Sequence, residues 1–73
     1  MSKFTKQDYS VAVSAIMHTF YDCLTSGAYK TAEELLAHAE NFAPLSESPE
    51  MYAADIDKAK NQLSLEMLQE VSS

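Results

Sequence analysis

Two histidine–carboxylate pairs and one thiol are the side chains of this chain best suited to chemistry. His18 and Asp22 stand four residues apart, as do Glu34 and His38, so each pair would share one face of a helix. A metal centre needs three or four converging ligands, and neither an H-E-x-x-H run nor paired cysteines occurs. Cys23 is the only cysteine, which rules out a disulfide within the chain and fits a reducing compartment. A nucleophilic thiol needs a neighbouring base and an electropositive setting. Cys23 instead falls on an apolar stripe, where a thiol behaves as a small hydrophobe. With one glycine in 73 residues there is no glycine-rich loop to cradle a phosphate. No catalytic residue, cofactor or metal ligand is therefore assigned, and the expectation is a non-enzymatic protein.

Charge narrows the partners. Residues 1–30 carry three lysines against two aspartates, a balance of +1, whereas residues 31–73 carry two lysines against nine acids, a balance of −7. Glu33, Glu34, Glu40, Glu47, Glu50, Asp55 and Asp57 succeed one another with no lysine or arginine between Thr31 and Asp57. Phosphates demand a positive patch, so direct binding of nucleic acid is disfavoured. The same seven acids support an alternative function, an acidic mimic of nucleic acid of the phage-inhibitor kind that blocks a nucleic-acid-binding protein. Their plainer role is a solvated face that keeps a small protein dispersed. The start, "MSKFTKQDYS", lacks the apolar centre of a signal peptide, and no apolar run approaches the roughly 20 residues that span a bilayer. A cytoplasmic protein without a membrane segment is expected.

The elements that must position these residues are helices. Ala, Leu, Met, Glu, Lys and Gln dominate, and one glycine with two prolines supplies too few turns for a sheet. The expected fold is all-α, a single domain of three helices over about 6–25, 32–42 and 49–71. Thr5 caps the first through the N–H of Asp8, and Phe4 and Tyr9 have the spacing of a hydrophobic staple. Tyr9, Ala12, Val13, Ile16, Phe20, Cys23 and Leu24 form its stripe, and Gly27 ends it. "TAEE" places a capping box at Thr31 and Glu34, followed by Leu35, Leu36, Ala39 and Phe42, with Pro44 closing the segment. Ser48, Pro49 and Glu50 open the third helix, whose predicted core stripe is Tyr52, Ile56, Ala59, Leu63 and Met67.

Ala32, Leu36, Ala39 and Pro44 have the spacing of the second-helix signature of the tetratricopeptide repeat, and Gly27 and Tyr29 sit where such repeats carry a glycine and an aromatic. The stretch "GAYKTAEELLAHAENFAP", residues 27–44, thus resembles one half of that repeat. The first half departs from it: Ile16, Thr19, Phe20 and Cys23 occupy the positions of its aromatic, leucine, glycine and tyrosine. Phe20 in place of glycine is expected to wedge the two helices apart. The resemblance implies a single degenerate helical hairpin with a long third helix. Small type III secretion chaperones and microtubule-interacting and transport domains are similar in layout, and no recognition residue of either is carried over.

Leu65 and Leu68 lie off the predicted core stripe of the third helix, with Val71 between the faces. Met17 and Tyr21 widen the apolar arc of the first helix. A chain this small buries only about 60% of its unfolded surface and gains from a partner. These five residues are the candidate contact surface for a protein partner or a second copy in a homodimer. The expected function is a chaperone, adaptor or inhibitor that acts by holding another protein.

Overall fold

The computed structural model describes residues 3–72, with the side chains of residues 3–70. The protein is all-α: α1 spans Lys6–Ser26, α2 Tyr29–Phe42 and α3 Pro49–Ser72, with a single 3₁₀ turn at Ala43–Leu45. No strand occurs among the described residues.

Local chemistry fixes α1 at both ends. The Thr5 hydroxyl accepts from the Asp8 N–H at 3.2 Å, and the Asp8 carboxylate accepts from the Thr5 N–H at 2.8 Å. This closed capping box satisfies donors that would otherwise lack partners. The Phe4 and Tyr9 rings meet edge-on at 6.1 Å, completing the staple. At the other end Gly27 takes φ 81, and the N–H groups of Gly27 and Ala28 reach the carbonyls of Leu24 and Cys23. That pair of bonds is a Schellman ending, which needs a residue tolerant of the left-handed conformation.

The start of α2 differs from the sequence expectation. Its cap is Ala28, which makes no side-chain capping bond, and the helix already includes Tyr29, Lys30 and Thr31. Thr31 is an exposed residue of the first turn and not a cap. The Schellman turn consumes Gly27 and leaves only Ala28 before the chain must reverse. Tyr29 then packs, half-buried, against the core. Packing and a short turn override the local preference of Thr-x-x-Glu.

Beyond α2, the Ser46 hydroxyl donates to the Ala43 carbonyl at 2.6 Å, which satisfies a polar group only 2% exposed. The Glu47 N–H donates to Ser10 Oγ at 3.0 Å, tying the linker to α1. At the start of α3 the Ser48 carbonyl accepts from the Tyr52 N–H, and Pro49 takes the first helical position, where it forfeits no bond. The Tyr52 hydroxyl lies 3.3 Å from Ser14 Oγ and 3.5 Å from the Ser10 carbonyl. Lys60 on α3 pairs with Glu40 on α2. These pairings make α2 antiparallel to both neighbours and set α3 parallel to α1.

The core joins Val13, Phe20 and Leu24 of α1 to Ala32, Leu36 and Ala39 of α2, Ala43 of the turn, and Ile56, Ala59 and Leu63 of α3. Phe20 is fully buried and does not force the helices apart; α1 and α2 share the most extensive contact of any helix pair. Ala32, Ala39 and Ala59, all inaccessible to solvent, belong to the same cluster and leave volume for the ring. Met67 departs from its predicted core position and is 40% exposed. After Ile56, Ala59 and Leu63 the inward line of α3 reaches Glu66, which is half-buried, so Met67 turns outward.

Candidate interaction surface

The outer side of the last turns of α3 presents exposed apolar side chains. Leu65 is 54% and Leu68 65% exposed, while Met67, 40% exposed, lies off their shared face. Three residues apart, the two leucines are neighbours on one helical face. Val71 belongs to α3, but its side chain lies outside the described residues. The opposite side of these turns is polar. Glu66 and Glu70 approach the phenol of Tyr29, whose pKa is raised first by desolvation and then by the two carboxylates. The end of α3 thus faces α2 with charge and solvent with leucine.

Met17 and Tyr21 occupy a different place. Met17 is half-buried against the core, and Tyr21 is exposed, its ring 4.9 Å from that of Phe20. With His18, Asp55 and Lys58 they line an open groove between α1 and α3 that takes in neither Leu65 nor Leu68. The five residues singled out from the sequence therefore fall on two surfaces. A third apolar surface was not singled out at all: Phe4, Tyr9, Val11 and Phe42 line a cleft at the start of α1. The Tyr9 and Phe42 rings stand 5.8 Å apart there. Phe4 and Tyr9 read from sequence as a staple and Phe42 as core; the available signal is Val11, exposed and seven residues from Phe4, two turns along the same face.

The seven acids do not make one face. Glu33 and Glu40 border the seam between α2 and α3, and Glu40, Glu50 and Asp57 border its continuation towards the 3₁₀ turn. Asp55 lies in the α1–α3 groove on the other side of α3, and the Glu47 backbone is tied to α1. Glu34 is exposed on α2. Lys60 Nζ meets Glu40 Oε1 at 2.7 Å, and this hydrogen bond is the largest influence raising the lysine's pKa.

The pairs considered for chemistry are solvated. His18 Nε2 and Asp22 Oδ2 are 3.8 Å apart with both side chains exposed, and His38 is exposed on α2. Cys23 is half-buried against the core. Among the described residues no three His, Cys, Asp or Glu side chains come together in a way that could hold a metal ion. No helix among them is long and apolar enough to cross a membrane.

Fold and surface define an all-α, three-helix protein with exposed apolar helix faces and an acidic α2–α3 side. Comparison with protein families, curated proteins and solved structures gave no match to this chain.

Proposed function

We propose that this chain is a non-enzymatic protein–protein interaction module, a cytoplasmic chaperone, adaptor or inhibitor that works by covering part of another chain. The observation that carries the reading is the exposed pair Leu65 and Leu68 on the outer side of α3. Burying each leucine contributes roughly 1.5–3 kcal/mol, a large gain for a protein with so small a core. The likeness of residues 27–44 to half a tetratricopeptide repeat supports the same reading. Either a second copy, in a symmetric dimer, or a partner's apolar helix covers the patch.

The test is the double substitution Leu65→Ser with Leu68→Ser. Both side chains face solvent, so helical circular dichroism should be unchanged. Light scattering should show the assembled mass of the parent falling to that of one chain, or a partner captured by the parent should be released. A parent that is monomeric, with a double variant that captures everything the parent captures, would sink the proposal.

A further inference from the structure

The seam between α2 and α3 has features that the leucine patch does not use. α2 stops at Phe42 and the 3₁₀ turn Ala43–Leu45 diverts the chain, so on the α2 side the first turns of α3 have no helix continuing beside them. The result is an open cleft of about 430 Å³ whose apolar lining includes Pro44, Pro49, Ala53 and Ile56. A second cleft of about 350 Å³ continues it along the seam past Leu36, Ala37, Leu63 and Ser64. The two meet at the Glu40–Lys60 pair, which both share. From Glu50 to Ser64 the seam runs along about 21 Å of helix. Small side chains at Ala37, Ala53 and Ser64 let another backbone approach closely.

The rim sets the charge of what fits. Glu33, Glu40, Glu50 and Asp57 border the seam against a single cation, Lys60, which Glu40 already holds. Asp57 acts on Lys60 through space without a direct ion pair, and Glu50 forms no ion pair among the described residues. A second copy of this chain is a poor occupant, because it brings a net charge of −6 to a rim that is itself negative. Nucleic acid is excluded for the same reason. We infer that the α2–α3 seam is a docking groove for an amphipathic, lysine- or arginine-flanked helix of about four turns from a partner protein. Its apolar side lies on Ala37, Pro44, Pro49 and Ala53, the exposed apolar part of the lining, and its cations meet Glu50, Asp57 and Glu33. The inference rests on the reading of the chain as an interaction module but not on Leu65 or Leu68.

The probe is a fluorescent 14-residue peptide of Leu, Ala and Lys, patterned as an amphipathic helix and titrated against the full chain by anisotropy. At about 0.1 M salt, where screening acts over about 10 Å, the parent should bind it, and binding should weaken as salt rises. Glu50→Gln with Asp57→Asn should weaken binding about tenfold and flatten the salt dependence. Ala53→Arg should abolish binding by filling the cleft. Asp55→Asn, on the far side of α3, should change it less than about twofold, as expected of a charge outside the contact. Circular dichroism of each variant verifies that the helices persist. The groove is refuted if the parent fails to bind, if a scrambled peptide of equal composition binds as well, or if Asp55→Asn does as much as the rim pair. Loss of peptide binding in the Leu65→Ser, Leu68→Ser variant would place the helix on the outer face of α3, overturning the seam while leaving the proposed function intact. Seam binding retained by a chain whose leucines capture nothing would uphold the groove and remove only the leucine patch.

Discussion

The α1–α2 hairpin and α3 are built to different standards. In the hairpin, Val13, Phe20, Ala32 and Ala39 are wholly inaccessible, the connecting turn is hydrogen-bonded on both sides of Gly27, and α1 begins in a closed capping box. In α3, a 24-residue helix, Ile56, Ala59 and Leu63 are the buried side chains among the described residues. Side-chain tethers fix its flank: Tyr52 to Ser14 and Ser10, and Lys60 to Glu40. A helix seated on one narrow line keeps most of its circumference available. The hairpin is where substitution should damage the fold, and α3 is where it should damage contacts with other molecules.

The comparison breaks most visibly at the core. Phe20→Ala should cost about 3–5 kcal/mol, enough to unfold a chain this small at room temperature by circular dichroism. Leu63→Ala should stay near 2 kcal/mol, the low end for such a truncation, because its surroundings on α3 can relax into the space. Equal losses would show that α3 is as deep in the fold as the hairpin. Ala39→Leu should cost about 1–3 kcal/mol in a denaturant titration, since the added carbons have no space between helices. A parent-like midpoint would mean that α2 does not approach its neighbours closely at Ala39.

Caps give smaller effects. Thr5→Ala should lower stability by about 1 kcal/mol, whereas Thr31→Ala should stay within about 0.5 kcal/mol because Thr31 caps nothing. The reverse order of melting temperatures would restore the cap to Thr31. The smallest effect is alkaline. The Tyr29 pKa is raised in the fold, so its contribution is complete below about pH 10, the ordinary value of a phenol, and is lost as pH rises through the folded value. Lys60 titrates in the same direction. Tyr29→Phe should therefore lose less melting temperature than the parent between about pH 9 and about pH 11. Identical slopes would detach Glu66 and Glu70 from that phenol.

The parts of this fold that could be read from sequence are those whose causes are local. Thr5 with Asp8, Phe4 with Tyr9, and Gly27 each act within a few residues, and α1 begins and ends where they place it. The Thr31–Glu34 signal is equally local, but the packing of Tyr29 against the core is not, and with the two-residue turn it starts α2 at Tyr29. A four-residue step from Leu63 points to Met67 by residue type, whereas the inward position belongs to Glu66, a choice that depends on where Tyr29 lies. Phe20 was judged against a pattern that wants glycine, and no sequence comparison measures the volume that three alanines leave. The acids could be counted, but only the turn at Ala43–Leu45 sorts Glu40, Glu50 and Asp57 onto one cleft and Asp55 onto another.

The turn at Gly27 and Ala28 also imposes an order of events. Two residues between helix ends close a loop at little entropic cost, so α1 and α2 can meet on the microsecond scale of local pairing. Setting Tyr52 beside Ser14 requires closing a separation of 38 residues. α3 is therefore expected to dock after the hairpin and to open before it, which faster hydrogen exchange in α3 than in α1 and α2 would show. An opening of α3 would uncover Leu36, which lines the α2–α3 seam. Any binding event that holds α3 down slows that peeling and lengthens the lifetime of the whole chain.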